Sequence, residues 1–308
     1  WVFYRPCLSL ENCNNMIIVN LTGGNGNQMF QYAAGLALAK LHNTDLFLDI
    51  NYLLDKSKRH HLHTQRDYAL DMFNISGKIA TNRIISLFTS PRVGNKYLYH
   101  VKRKLLRENN VCDDSKLTNV DDFFRLPNNL YLRGLWQNAQ FFESIAENLR
   151  KEFTFKNKIH DSCSSMLNKI NNSNSICIIF RRGDFVNHPI LDVVTMDYYY
   201  TAIEIVLKNL ADPHAYVFSD DIDWCKKNFR SNGASLTFVD QQLTGPNAEY
   251  YFQLISACKH FIIPNSTFGW WGAWLGGSKE KIVIAPKKWY KGQTLSVHPI
   301  VPKRWITV

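Results

Sequence analysis

The sequence predicts an α/β fold of two Rossmann-like domains facing each other across a cleft. Three observations predict it. Short apolar strands alternate with helical segments, a glycine-rich turn joins the first strand to the first helix, and the alternation breaks off and begins again near the middle of the 308 residues. Strand–loop–helix–strand order is the mark of parallel sheets with crossover helices. The break falls in the stretch 154–175, rich in Lys, Asn and Ser, and divides the chain into an N-terminal domain, 1–155, and a C-terminal domain, 156–308. No repeat at a solenoid period competes with this division.

Residues 1–15 carry no clear periodicity and read as an arm; the chain opens on Trp1 rather than Met, as a processed product or a fragment would. A buried strand is expected at 16–21, followed by the turn 22–26 and a helix over 27–41. In that helix Met29, Phe30, Ala33, Leu36, Ala37 and Leu41 recur at helical spacing. The next strand is 46–50. Residues 55–66 are rich in Lys, Arg and His, and 92–107 are basic with interleaved Tyr and Leu. Order resumes with a strand at 130–132, the run Gly134-Leu135-Trp136-Gln137, an amphipathic helix over 140–153 and a short helix near 161–170. The second alternation gives strands at 175–181, 215–219, 235–239, 260–264 and 281–285. Its helices fall at 197–210, 223–229, 248–258 and 267–275.

Hydrophobic residues make up 45% and charged residues 20%, an ordinary globular balance that excludes wholesale disorder. No apolar run reaches the roughly 18 residues of a membrane span, and no signal-peptide pattern opens the chain. Lys and Arg number 36 against 26 Asp and Glu, a formal net charge of +10. That excess favours an anionic partner: a nucleotide, a nucleic acid or an acidic membrane surface. The seven cysteines are scattered, odd in number and contain no C-x-x-C, which argues against a zinc cluster or a dense disulfide framework. His60, His61 and His63 sit in a charged loop with no carboxylate spacing to support a metal. Lys96, Lys102, Arg103, Lys104 and Arg107 read either as one wet helix face or as a surface for nucleic acid or lipid headgroups.

Four segments carry candidate chemistry. Gly23-Gly24-Asn25-Gly26-Asn27-Gln28 lies between a strand and a helix, where glycines let a ligand approach the backbone and helix N–H groups face an anion. Met29 replaces the third glycine of a dinucleotide fingerprint, so a plain tight turn explains the segment equally well. Phe180-Arg181-Arg182-Gly183-Asp184 closes an apolar strand, at the end where open α/β sheets bind ligands. Two arginines there can fork onto a diphosphate with Asp184 near the reacting centre, or they can simply pair with the aspartate. Ser219-Asp220-Asp221 also ends a strand. Its carboxylates suit a ribose or a guanine N–H edge, Asp221 with Asp223 spells the D-x-D of metal-dependent sugar transferases, and a helix N-cap is the plainest account. Ser266 and Thr267 open a helix and suit phosphate, whereas Trp270, Trp271 and Trp274 read either as a sugar-stacking platform or as core, with core for at least two of the three.

The order and spacing of these blocks carry a family resemblance. Gly24-Asn25-Gly26-Asn27-Gln28-Met29-Phe30-Gln31-Tyr32-Ala33 resembles the G-x-G-N-Q-M-F-Q-Y-A opening of the glycosyltransferase family 11 α-1,2-fucosyltransferases. Residues 180–184 resemble their H-x-R-R-G-D motif and 218–221 their F-S-D-D. Cys258-Lys259-His260 with Asn265-Ser266-Thr267-Phe268-Gly269-Trp270-Trp271-Gly272-Ala273-Trp274-Leu275 is similar to C-K-H and N-S-T-F-S-W-W-G-A-W-L. Residues 132–137 with Phe141 and Phe142 are similar to L-x-G-Y-W-Q and Y-F. The resemblance spans about 16–290. Two departures stand out: the family histidine before the arginines is Ile179, and the usual Leu of the glycine loop is Asn25.

The resemblance implies an inverting, metal-independent transferase of GT-B type that needs no cofactor. It would move L-fucose from GDP-β-L-fucose to the 2-hydroxyl of a terminal β-galactoside. Arg181 and Arg182 would hold the diphosphate with Ser266 and Thr267, and Asp220 and Asp221 would face guanine or ribose. Asp184 would serve as base beside Arg182, and Gly24, Gly26, Asn27 and Gln28 would line the acceptor side. A non-catalytic glycan- or nucleotide-binding module and a metal-dependent transferase using Asp221 and Asp223 are the rival readings. Nucleic acid is not expected as a partner. Composition points to the bacterial cytoplasm, with basic segments resting on the inner membrane beside a glycan or glycolipid acceptor. The sequons at Asn20, Asn74, Asn171 and Asn265 keep a Golgi-lumen alternative open.

Overall fold

The computed structural model describes residues 15–56, 66–89, 110–293 and 299–308. The basic stretch 92–107, the histidines at 60, 61 and 63, and the arm 1–14 lie outside the described residues.

Two parallel sheets form the frame. The first comprises β1 (Met16–Asn20), β2 (Asp45–Asp49), β3 (Lys78–Ile79), β4 (Val111–Asp113) and β5 (Leu130–Arg133), in the order β3-β2-β1-β5-β4. The second comprises β6 (Asn174–Phe180), β7 (Pro213–Ser219), β8 (Ser235–Phe238), β9 (His260–Ile262), β10 (Val283–Ala285) and β11 (Ile306–Thr307), in the order β11-β10-β9-β6-β7-β8. β1 is central in its sheet and β6 lies between β7 and β9, so both are covered on each side. Ile17, Ile18, Val19, Ile176, Cys177 and Ile178 are accordingly fully buried. This is why these strands read as continuous apolar runs rather than alternating ones.

The helices are α1 (Asn25–Leu41), α2 (Ala146–Glu152), α3 (Ser164–Asn171), α4 (Met196–Asn209), α5 (Ile222–Asn228), α6 (Glu249–Ala257) and α7 (Thr267–Leu275), with shorter turns between them. The helix expected over 140–153 is only partly helical. 3₁₀ turns at Ala139–Phe141 and Glu143–Ile145 precede α2, because neighbouring phenylalanines serve different clusters. Phe141 stacks on Phe123 at 4.3 Å while Phe142 stacks on Trp271 at 5.4 Å, and one regular helix turn does not aim both.

α1 of the first sheet packs against α7 of the second. Phe30 meets Trp270 at 4.6 Å and Trp271 at 5.1 Å between ring centroids. All three tryptophans of α7 are buried, so none is a sugar-stacking platform. The apolar core therefore runs without interruption from one sheet's helices to the other's.

Candidate active site

The candidate site forms where loops following the strands of one sheet touch loops following the strands of the other. At the end of β6 the chain turns sharply through Arg181, Arg182 and Gly183. The Asp220 carboxylate, from the end of β7, shapes that turn by accepting the backbone N–H of Arg182 at 2.8 Å and of Gly183 at 3.1 Å. Any side chain at Gly183 would meet it, since a Cβ there would stand 2.9 Å from Asp220 Oδ2. Asp220 also pairs with Arg181 Nη1 at 2.8 Å.

Asp221 caps α5 by accepting the Trp224 N–H at 3.2 Å, and its other oxygen takes Arg182 Nε at 3.2 Å. The Arg182 guanidinium lies over the Trp224 ring, 3.5 Å from its centroid. Its two terminal amino groups have no partner among the described residues. Arg181 differs, because both its terminal nitrogens are engaged, with Asp220 and with Asp184 at 2.6 Å. Of the two arginines, Arg182 is the one left open to an anion.

Asp184 has a second partner. Arg66, from the first sheet's side, places Nη2 3.0 Å from Asp184 Oδ2. Sequence reasoning grouped Arg66 with a solvated basic stretch; its role depends on a contact 118 residues away. Trp224 was equally missed, although its place three residues after an N-cap aspartate puts it on the arginine's side of α5.

The glycine loop meets α7 directly. A Cβ on Gly26 would stand 2.3 Å from the carbonyl carbon of Thr267, so the two helix N-termini approach at backbone distance. Asn27 Oδ1 accepts both from Thr267 Oγ1 at 3.0 Å and from Gln137 Nε2 at 2.9 Å. Tyr290 OH donates to Gln137 Oε1 at 2.7 Å, and burial and the nearby Asp114 push this phenol up to about 12. Ser266 is the N-cap of α7, yet its hydroxyl makes no capping bond, and α1 likewise has neither a side-chain cap nor an acid in its first turn. Two helix N-termini with unneutralised first turns thus sit side by side, an arrangement favourable to negative charge.

Several expectations change against this geometry. Gln28 lines no opening; it is fully buried, donating to the carbonyls of Gly23 and Asp67 and accepting the Ala69 N–H. Gly26 serves helix approach, and a Cβ on Gly24 would stand 4.0 Å from the Arg66 side chain. Asp220 and Asp221 are committed to the arginine turn. Thr267 gives its hydroxyl to Asn27. Asp223 is 81% exposed and pairs with Lys226, so the D-x-D pair does not converge. Among the described residues no group of three His, Cys, Asp or Glu side chains could hold a metal ion. Asn265 is 3% exposed, with its amide donating to the Leu191 and Trp289 carbonyls, and is closed to a glycan.

Fold and site together define an α/β protein with an open guanidinium and paired helix N-termini where the strands of two parallel sheets end. The chain belongs to glycosyl transferase family 11, whose sequence profile matches residues 6–308, and is a glycosyltransferase of that family. It is 31% identical over 305 residues to the alpha-1,2-colitosyltransferase of Escherichia coli, covering 96% of this chain and 99% of that protein. It is also 31% identical to the O-antigen biosynthesis glycosyltransferase WbnK of Escherichia coli, over 90% of this chain and 95% of that one. Mouse galactoside alpha-(1,2)-fucosyltransferase 1 is 25% identical, over 82% of this chain and 61% of the mouse protein.

Proposed function

We propose that the protein transfers L-fucose from GDP-β-L-fucose to the 2-hydroxyl of a terminal β-galactoside, with inversion, during assembly of a bacterial surface glycan such as O-antigen. The observation that carries the reading is Arg182, stacked on Trp224 with its terminal amino groups unpaired at the end of β6. The α-1,2 linkage is supported by the names of both the colitosyl- and the fucosyltransferase relatives. The two sheets act as the two domains of a GT-B transferase, 156–308 holding the donor and 1–155 the acceptor.

In this reading the bond between fucose C1 and the β-phosphate oxygen breaks, and the electron pair leaves with GDP. Arg182 and the N–H groups opening α7, with Ser266, stabilise the growing charge on the diphosphate. The acceptor's 2-oxygen attacks C1 from the opposite face and gives its proton to Asp184. Arg181 acts through Asp184 and Asp220 rather than on phosphate. No metal is needed, because fixed guanidinium charge supplies the electrostatic stabilisation. Basic segments would keep the protein at the cytoplasmic face of the membrane; no helix among the described residues is long and apolar enough to cross it.

A second reading concerns the donor alone. Identity to the colitosyltransferase is 31% over 96% of this chain, against 25% over 82% for the mouse fucosyltransferase, which favours a 3-deoxy sugar in the same pocket. The test is GDP release from GDP-fucose with and without lactose or N-acetyllactosamine, in EDTA, beside the GDP derivative of colitose. Acceptor-dependent release from GDP-fucose supports the first reading. Release from the colitose donor alone moves the donor, and loss in EDTA with rescue by manganese refutes the metal-free mechanism.

A further inference from the structure

We infer that Arg66 is a positioning residue for the transfer step, holding the Asp184 carboxylate from the opposite sheet and thereby fixing both its direction and the seat of Arg181. The inference rests on the reading of Asp184 as the group that takes the acceptor's proton.

Asp184 follows Gly183 at a turn and is 38% exposed, so its own backbone does little to aim it. Its two oxygens are instead shared out. Oδ1 accepts from Arg181 Nη2 at 2.6 Å and Oδ2 from Arg66 Nη2 at 3.0 Å. Arg181 is anchored in turn by Asp220, while Arg182 and Asp221 pair alongside. Arg66 is therefore the member of this chain of charges that comes from the first sheet's side, where a Cβ on Gly24, the N-cap of α1, would stand 4.0 Å from its Cγ. An ion pair this exposed adds little to folding stability, so stability does not explain why it is made. What it does is orient: a carboxylate gripped at both oxygens by guanidiniums from two sheets cannot rotate freely, and catalytic proton transfer depends on that orientation. Removing Arg66 frees Oδ2 and leaves the acceptor-side half with no hold on the donor-side turn at this point.

The experiment compares wild type with Arg66→Ala, Arg66→Gln and Arg66→Lys, with thermal unfolding confirming that each variant folds. Two quantities are read: the Kd for GDP by calorimetry, and kcat with GDP-fucose and lactose at saturation. Because Arg182 and α7 hold the diphosphate, GDP affinity stays near wild type. The turnover number falls by about tenfold or more in the Ala and Gln variants and recovers in large part with Lys. Weakened GDP binding with unchanged kcat would make Arg66 a phosphate ligand and overturn the inference. So would an unchanged kcat, or a loss that Arg66→Lys does not recover. A wild-type protein that binds GDP but does not release it from GDP-fucose overturns the parent reading as well, and is told apart by needing no variant.

Discussion

The guanidinium carbon of Arg182 lies 3.5 Å from the centroid of the Trp224 ring, and its Nε is held by Asp221 at 3.2 Å. The ring and the carboxylate hold the guanidinium, while its two terminal amino groups have no partner among the described residues. On the proposed mechanism Arg182→Ala removes the group that meets charge developing on the leaving diphosphate, and is expected to lower kcat/KM by about 2–4 kcal/mol of transition-state stabilisation. Arg182→Lys is expected to recover little, because an ammonium neither stacks flat nor forks onto a diphosphate. Initial rates of GDP release check both; a lysine variant close to wild type would mean that point charge alone suffices.

Trp224 should matter without touching the substrate. Replacing it by Leu keeps bulk on α5 and removes the face on which the guanidinium rests. The expected loss is about 0.5–2 kcal/mol in GDP affinity, the range for a partly exposed cation–π contact. Calorimetric titration with GDP reads this directly, and equal affinity in the two proteins would show that Asp221 orients Arg182 unaided.

Gly26→Ala tests the approach of the two helices. The added methyl would fall 2.3 Å from the Thr267 carbonyl carbon, and backbone cannot swing aside as a side chain can. Helices α1 and α7 must part, disturbing the Asn27–Thr267 hydrogen bond as well. A destabilisation of about 1–3 kcal/mol is expected in urea unfolding, with loss of activity in the molecules that stay folded. Unchanged stability would contradict the close approach.

Lys281 gives a pH prediction with a definite sign. Its ammonium donates to the carbonyls of Ala273, Trp274 and Gly276 at the end of α7, and Arg150 donates to those of Trp274 and Leu275. Carbonyls at a helix C-terminus favour the charge. Burial, with Arg150 and Arg304 close by, outweighs them and brings the lysine down to about 7. An unfolded lysine keeps its proton to about 10.4, so between these values the unfolded chain binds more protons and stability rises with pH. Relative to Lys281→Met, the wild type should therefore gain in Tm as pH goes from 7 toward 9. The advantage should be absent at lower pH, where both folded and unfolded lysines are charged. Parallel Tm curves would sink the prediction.

What the sequence made legible follows from the range of each interaction. β6 could be read because both its faces are buried and five consecutive apolar residues, 176–180, show it. β3 and β11 could not, being two residues each and held only by pairing with a neighbour. The break before α2 depends on where Phe123 and Trp271 stand, which no local pattern contains. At the site, Arg181, Arg182 and Asp184 were legible as a run ending a strand. Their division of labour was not, since Arg181 and Asp184 are paired off by Asp220 and Arg66, which are distant in sequence. Gln28 misled for a related reason. It sits in the first turn of α1, beside a glycine run with the composition of a binding turn, but its amide binds the chain's own backbone.

The substitution at Ile179 has a partner that the motifs already contained. Where the family blocks carry histidine and serine, this chain carries Ile179 and Gly269, and the two positions touch: a Cβ on Gly269 would stand 3.0 Å from Ile179 Cδ1. Ile179 is 5% exposed, at the penultimate position of β6, against the first turn of α7. An isoleucine there needs the space that glycine leaves. Gly269→Ser alone should cost about 1–3 kcal/mol, from crowding. Ile179→His alone buries an imidazole with no partner, for about 1–3 kcal/mol. Together they exchange an apolar pair for a polar one that can hydrogen-bond internally, so the double variant should lose less than the sum by about 0.5–3 kcal/mol. Urea unfolding of the four proteins measures that coupling. Strict additivity would mean that positions 179 and 269 are independent, and that Gly269 answers to Ile263, its other neighbour, rather than to Ile179.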